Sequence, residues 1–520
     1  MAEPTGAPVL EAESAGSPAS TADPCVMVVF GASGDLTRKD LLPSIFELAA
    51  RNLLPDRFAV LGFARSEWSD DGFRRRMREA VEAGCDFDRR VWERLAPRIH
   101  YLPGDLTTAD DYQTLGGRID DLQEERGIGG DAFFHLATPP SLFGTIAGQL
   151  GESGLARRSS DHPEDGQWRR LVIEKPFGED RASARALDRE LRSAFDEDQI
   201  YRIDHYLGKE TVQNMLVFRF ANPAFEPIWN RDFIDHVQLT AAEDIGIGTR
   251  ARFYEKTGVV RDMVQNHLLQ LLCMAAVDPP VHFDGASLRA ETVKVLRSIR
   301  QPSPEDCVLG QYGPGVVEGE EVPGYRSEDG VDDASTSPTF AALRLELDSW
   351  RWAGVPFYLR TGKRLARKLT EVAVFFKPTP HLMFPLEESR PIRKNVLVFR
   401  LQPQEGILQT FIAKQPGPDI RLTPVTSRFL YADAFGVGSP PRAYAWLLLD
   451  VMQGNQTLFA RADWIDQAWS IVDPIVERHE SSPPEDFPNY RAGTWGPDRS
   501  HDLMEREGRS WRGPRSGKSA

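Results

Sequence analysis

Residues 26–30, Val-Met-Val-Val-Phe, are wholly apolar and rich in β-branched side chains, a pattern that predicts a strand buried on both faces. A glycine turn follows, Gly31-Ala-Ser-Gly-Asp-Leu-Thr37. Apolar Leu41, Leu42, Ile45, Phe46 and Leu48 then repeat at helical spacing over about 39–48. Further strand-like runs fall at 58–63, 99–102, 132–137 and 171–173, with helical stretches between them. This alternation predicts a doubly wound parallel sheet over roughly the first 200 residues. Beyond it the pattern changes. A helix is expected at about 209–219, alternating apolar and polar positions at 233–241, and a long apolar helix at about 258–277. Strand-like stretches at 339–348, 355–360, 371–377, 396–402 and 406–413 have few long helices between them, which favours antiparallel pairing in one large sheet. The acidic, Pro- and Gly-rich residues 313–337 read as a long loop, and helical residues return at about 440–477. The expected fold class is α/β plus α+β: an N-terminal Rossmann sheet followed by a domain on a large, mainly antiparallel sheet with helices.

At 520 residues the chain exceeds what one hydrophobic core usually supports, so two domains are expected. The boundaries are read as a disordered tail at 1–24, a dinucleotide-binding domain at 25–203, a substrate and oligomerisation domain at 204–512 and a short tail at 513–520. The first 24 residues have neither a basic start nor an apolar stretch, which speaks against a secretory signal. No run of about 18 apolar residues predicts a membrane span. A net charge of -15 argues against wrapping nucleic acid, so any bound phosphate must meet local cations. Cys25, Cys85, Cys273 and Cys307 form no Cys-x-x-Cys pair, and the reducing cytoplasm is the simplest location. The ten histidines show no metal-binding spacing, so no metal is expected.

The turn at Gly31 carries the first two glycines of a dinucleotide fingerprint, with Thr37 where the third would stand. Gly31 permits the tight turn, and Gly34 allows a pyrophosphate near the helix N-terminus. The second strand ends in Arg65 and Ser66 rather than a carboxylate. A guanidinium there suits a 2′-phosphate and favours NADP over NAD; the competing reading is an Arg65 that faces solvent. Arg202 to Glu210, Arg-Ile-Asp-His-Tyr-Leu-Gly-Lys-Glu, gathers two cations, a carboxylate, an imidazole and a phenol, with Gly208 allowing a bend and Glu210 opening a helix. His267 lies on an apolar stripe with Met263, Val264, Leu268 and Leu271, as either a core histidine or a base. Asp262, five residues earlier, falls about 140° round a regular α-helix, which leaves Asp204 as the candidate partner of that ring. Asp204 has the alternative of pairing with Arg202 or Lys209, and Lys175 that of pairing with Glu174.

Gly31-Ala-Ser-Gly-Asp-Leu-Thr-Arg-Lys, Glu174-Lys-Pro-Phe-Gly178, Arg202 to Glu210 and Arg261-Asp-Met-Val-Gln-Asn-His267 resemble, in order and spacing, the motifs of the glucose-6-phosphate dehydrogenase family. The resemblance runs from about residue 25 to 512. It implies NADP-linked oxidation of glucose 6-phosphate to the 6-phosphogluconolactone, the first step of the oxidative pentose phosphate pathway. It makes His267 the general base and Asp204 its partner. His205, Tyr206 and Lys209 would hold the phosphate, and Lys175 would stand between sugar and cofactor. Glu243, Asp262 and Lys363 would complete the sugar site, while Gly31, Ser33, Gly34, Asp35, Leu36 and Arg65 would contact NADP. A homodimer or homotetramer is implied as well. His135 stands where tyrosine is expected in many members, a departure placed in the cofactor pocket. The competing functions are another NAD(P)-dependent sugar oxidoreductase and a catalytically silent regulatory or assembly subunit.

Overall fold

A computed structural model describes residues 22–161, 166–384, 394–435 and 442–513. Most of the expected N-terminal tail and all but Gly513 of the C-terminal one lie outside these residues. Ala22, inside the expected tail, is buried, so packing begins slightly earlier than composition suggested.

The five apolar runs form β1 (Cys25–Phe30), β2 (Phe58–Ala64), β3 (Ile99–Pro103), β4 (Ala132–Leu136) and β5 (Arg169–Glu174), and a strand that the pattern did not predict, β6 (Ile200–Ile203), completes a six-stranded parallel sheet. Their order is β3-β2-β1-β4-β5-β6, the doubly wound arrangement. Every residue of β1 is buried, as expected for a strand covered by helices on both faces. The order reverses between β1 and β4, so the crevice at their C-terminal ends is the natural ligand position.

The second sheet has eight strands among the described residues. In spatial order these are Leu422–Leu430, Gly406–Lys414, Val396–Gln402, Leu369–Phe376, Ile234–Ala242, Phe357–Gly362, Phe340–Leu345 and Cys307–Gly310. Pairing is antiparallel except between Ile234–Ala242 and Phe357–Gly362, which run parallel. That exception positions the site, because both strands end at the same edge. Two strands of this sheet escaped the sequence pattern. Leu422–Leu430 contains Pro424 and is largely exposed, which only an edge strand tolerates, and Cys307–Gly310 is a four-residue edge strand. The expected loop at 313–337 contains a small hairpin, Gly315–Val317 with Glu320–Val322.

The long apolar helix is not one regular α-helix. Ala251–Val259 is interrupted at Gly258 (φ 59°, ψ 172°), then Val260–Leu268 is π-helical and Leu269–Ala276 is α-helical. Helices from the C-terminal part pack back onto the Rossmann domain. Arg170 donates to the carbonyls of Val451 and Met452 (2.7 and 2.8 Å), closing the C-terminus of helix Ala443–Gln453. Arg181 and Arg185 both fork onto Asp466 of helix Ala462–Ser481. Among the described residues no helix is long and apolar enough to cross a membrane.

Candidate active site

The segment after β6 turns sharply because the side chain of Asp204 accepts the backbone N–H of Tyr206 at 3.0 Å. The same oxygen accepts from His267 Nδ1 at 2.6 Å, and both side chains are 2 % exposed. A carboxylate can only accept, so this contact puts the proton on Nδ1 and leaves Nε2 as the basic nitrogen. Asp204 is therefore the partner of His267, not of Arg202 or Lys209. The Tyr206 ring stacks on the imidazole, with centroids 4.1 Å apart and planes 19° from parallel. His205 stands edge-on to both rings. Carboxylate and phenol ring together fix the imidazole in plane and in tilt.

Lys175, just past β5, donates to His267 Nε2 at 2.8 Å and to the Asp262 carbonyl and carboxylate at 3.1 and 3.2 Å. This corrects the placement of Asp262 on the far side of its helix. With hydrogen bonds running i→i+5, residues five apart share a face, so the π-turn aims Asp262 and His267 at one ammonium. Lys175 ignores Glu174. That carboxylate instead bonds His135 Nε2 at 3.1 Å and the Tyr444 hydroxyl at 2.9 Å. The departure at His135 thus bears on the residue preceding Lys175 and not on the cofactor pocket alone.

Glu243 and Lys363 leave the ends of the two parallel strands side by side and pair at 2.6 Å. Lys209 lies with its ammonium 5.4 Å from the Tyr206 ring centre. Sequence reasoning missed Lys368, which comes close enough to Lys209 for their charges to repel. Its signal was a second lysine five residues beyond Lys363, on the same strand connection. Arg202, in contrast, does not join the site: its guanidinium is buried against Asp188 and Glu197 at 2.8 and 2.7 Å. Gly208 lies in the turn that leads into helix Glu210–Phe220, with a second role beside it. A Cβ there would lie 2.7 Å from the Ala443 carbonyl, so it permits close packing of the C-terminal helix.

Burial pushes the His267 pKa below its ordinary value and Lys175 adds to this, against the pull of Asp204. Burial also lowers His205, to about 3, with His267 next in effect, so His205 acts as a neutral ring. Burial opposes ionisation of Asp262, yet Lys175 and Lys363 bring its carboxyl down to about 2. The free site therefore pairs its charges: Lys175 holds Asp262, Lys363 holds Glu243, and the Asp204 carboxylate is held on the imidazole. Donor atoms of Asp204, His205 and His267 also lie within 4.8 Å of one another, a spacing a metal could use and one that sequence spacing did not foreshadow.

At the glycine turn, Gly31 has φ 77°, and a Cβ would lie 2.5 Å from the Ala137 carbonyl. Asp35 and Leu36 open the following helix, with Asp35 paired to Lys39 at 2.8 Å, so its first N–H groups face the turn. Thr37, in place of the third glycine, is fully buried. Beside Ser33 lies a cavity of about 570 Å³ lined by Arg38, Lys39, Trp68 and Arg76. The Arg76 guanidinium sits 4.5 Å over the Trp68 ring. Arg65 is exposed at the end of β2, and among the described residues Arg38, Arg65 and Arg76 have no carboxylate partner within ion-pair distance. Arg38 and Arg76 were missed by sequence reasoning, which followed only the end of the second strand.

Known proteins match this chain along nearly its whole length. The family description "Glucose-6-phosphate dehydrogenase, NAD binding domain" matches residues 28–214, and "Glucose-6-phosphate dehydrogenase, C-terminal domain" matches 216–512. Glucose-6-phosphate 1-dehydrogenase 2 of Mycobacterium tuberculosis (strain ATCC 25618 / H37Rv) is 46% identical over 497 residues, 95% of either chain. Glucose-6-phosphate 1-dehydrogenase of Aggregatibacter actinomycetemcomitans is 45% identical over 95% of this chain and 98% of its own. A solved glucose-6-phosphate dehydrogenase in complex with glucose-6-phosphate superposes with a TM-score of 0.87 at 31% identity, covering 95% of this chain and all (100%) of that one. The crystal structure of the Mycobacterium avium glucose-6-phosphate 1-dehydrogenase gives 0.77 at 37% identity, covering 95% and 99%. This chain belongs to the glucose-6-phosphate dehydrogenase family.

Proposed function

We propose that this protein oxidises glucose 6-phosphate to 6-phosphoglucono-1,5-lactone, with NADP as cofactor. The observation that carries the reading is the contact chain Asp204–His267–Lys175, which holds one basic nitrogen at the C-terminal ends of β5 and β6. His267 Nε2 takes the proton of the anomeric hydroxyl, and Asp204 stabilises the imidazolium that results. Lys175 yields its contact with Nε2 to that hydroxyl and remains near the sugar oxygen. Asp262, Glu243 and Lys363 exchange their mutual contacts for sugar hydroxyls. Lys209 and Lys368, with the neutral His205 ring beside them, receive the phosphate. The clustered ammoniums would be left unpaired by free glucose, which supplies the discrimination.

The glycine turn fits a dinucleotide, since a side chain at Gly31 would fill the cradle. Ser33, Gly34, Asp35 and Leu36 would border the pyrophosphate, and Arg65, Arg38 and Arg76 the 2′-phosphate. When bound, NADP supplies the hydride acceptor. In this reading the chain divides between 25–203 and 204–512. It works in the cytoplasm, consistent with four free cysteines, and assembles as a homo-oligomer. The silent-homologue reading is disfavoured because base, partner, lysine and turn are all in place. Following NADPH absorbance with glucose 6-phosphate, glucose, NADP and NAD tests the proposal: turnover is expected with the phosphate ester and NADP, and equal rates with free glucose would overturn it.

A further inference from the structure

Four buried tyrosines, Tyr254, Tyr325, Tyr312 and Tyr490, form a chain of ring contacts beneath the sugar side of the site, with successive centroids 6.2, 5.6 and 6.3 Å apart. Three of their hydroxyls are accounted for. Tyr325 donates to Glu255 at 2.5 Å, Tyr312 donates to Glu328, and Tyr490 donates to the Lys363 carbonyl at 2.8 Å. The hydroxyl of Tyr254 is buried and has no partner. Tyr254 is also the member of the chain that faces the site itself: the Lys363 ammonium, which holds Glu243, lies 5.6 Å from its ring centre. It belongs to the helical segment that leads through Gly258 into the π-turn carrying Asp262 and His267.

A buried hydroxyl without a partner destabilises the protein that contains it, and native structures keep few of them. Three neighbours of the same type, satisfied in the same cluster, show that this region supplies acceptors where the fold itself needs them. We infer that the Tyr254 hydroxyl is a sugar-binding group, donating a hydrogen bond to a ring oxygen or hydroxyl of the hexose when glucose 6-phosphate enters. The inference rests on the function proposed above and adds a residue to its substrate site. Burial, followed by the Asp262 carboxylate, raises the Tyr254 phenol well above its ordinary range, so the group stays an O–H donor at any working pH. No proton is transferred by it; it acts in binding and orientation.

Tyr254→Phe removes one oxygen and keeps the ring, so its effect isolates the hydroxyl. The expected result is a KM for glucose 6-phosphate raised roughly tenfold, a much smaller change in kcat and an unchanged KM for NADP. The unfolding midpoint of the ligand-free variant should not fall, while the increase in midpoint on adding glucose 6-phosphate should shrink. A KM within twofold of wild type overturns the inference. So does a lowered ligand-free midpoint with KM retained, which would make the hydroxyl structural. A wild-type protein that neither binds nor oxidises glucose 6-phosphate overturns the functional proposal as well, whereas an active wild type with an unaffected variant overturns this inference alone.

Discussion

His267 is held at three sides: Asp204 at Nδ1, the Tyr206 ring across its face and Lys175 at Nε2. Because burial and the nearby ammonium depress its pKa, the base form is present above a value lower than the usual histidine pKa of about 6.5 and is lost as pH falls through it. kcat/KM should therefore stay flat down to mildly acidic pH and decline below. Asp204→Asn removes the carboxylate that opposes this depression. Its acid limb should move to lower pH, and kcat should fall by roughly 10²- to 10⁴-fold. His267→Asn should lose turnover by a similar or larger factor while glucose 6-phosphate still binds. Steady-state pH profiles and a binding titration check both variants; an Asp204→Asn limb displaced to higher pH would remove Asp204 from its assigned role. Residue identities were the most legible layer in the sequence, since His267, Asp204, Lys175, Glu243, Asp262 and Lys363 all meet. Arg202 misled because a cation inside a ligand motif and a buried structural cation look alike until its partners Asp188 and Glu197 are brought to it by the fold.

The π-turn over Val260–Leu268 is where the elements depart from what a periodic pattern can report. Met263, Val264, Leu268 and Leu271 repeat acceptably under either a 3.6-residue or a wider turn. The hydrophobic stripe therefore predicts a helix but not its pitch, and pitch decides whether Asp262 faces His267. The strands were legible wherever they were apolar and long. They were invisible at Leu422–Leu430, where edge position rather than composition permits a proline and polar residues. Gly258 marks the start of the anomaly, in a backbone region open essentially to glycine alone. Its added Cβ would also press on Pro338 at 3.2 Å. Gly258→Ala should cost about 1–3 kcal/mol and lower the unfolding midpoint by a few degrees. It should also reduce kcat, because the residues that enter the π-turn must shift with it. An unchanged midpoint and unchanged kcat would mean that the break at Gly258 has no part in aiming Asp262.

At the scale of the molecule, the side chains of the candidate site come from both sheets: Lys175 and Asp204 from the ends of β5 and β6, His267, Glu243 and Lys363 from the second sheet and its helix. The candidate site thus depends on the contacts that seat the C-terminal helices on the Rossmann domain, such as Arg181 and Arg185 on Asp466. The second sheet is tied down by the chain end as well. Arg512 pairs with Glu371, and Arg360 lies between Trp495 and Trp511, with its guanidinium 4.6 and 4.5 Å from the two ring centres. Among the described residues the outer strands Gly406–Lys414 and Leu422–Leu430 lack such cover. Phe411 and Val425 are directly opposed across them and both remain exposed, with Ile420 and Phe435 exposed nearby. Apolar side chains paired on an uncovered outer ladder mark a surface suited to association, and a second copy of this chain is the partner that the homo-oligomer reading names. Converting both to lysine, Phe411→Lys with Val425→Lys, leaves the inner strands and the active site untouched. The double variant should sediment near the 58.3 kDa mass of one chain while the wild type sediments as a dimer or larger. A wild type that already sediments as a single chain would end the oligomer proposal, and a variant that keeps the wild-type mass would move the interface to another face.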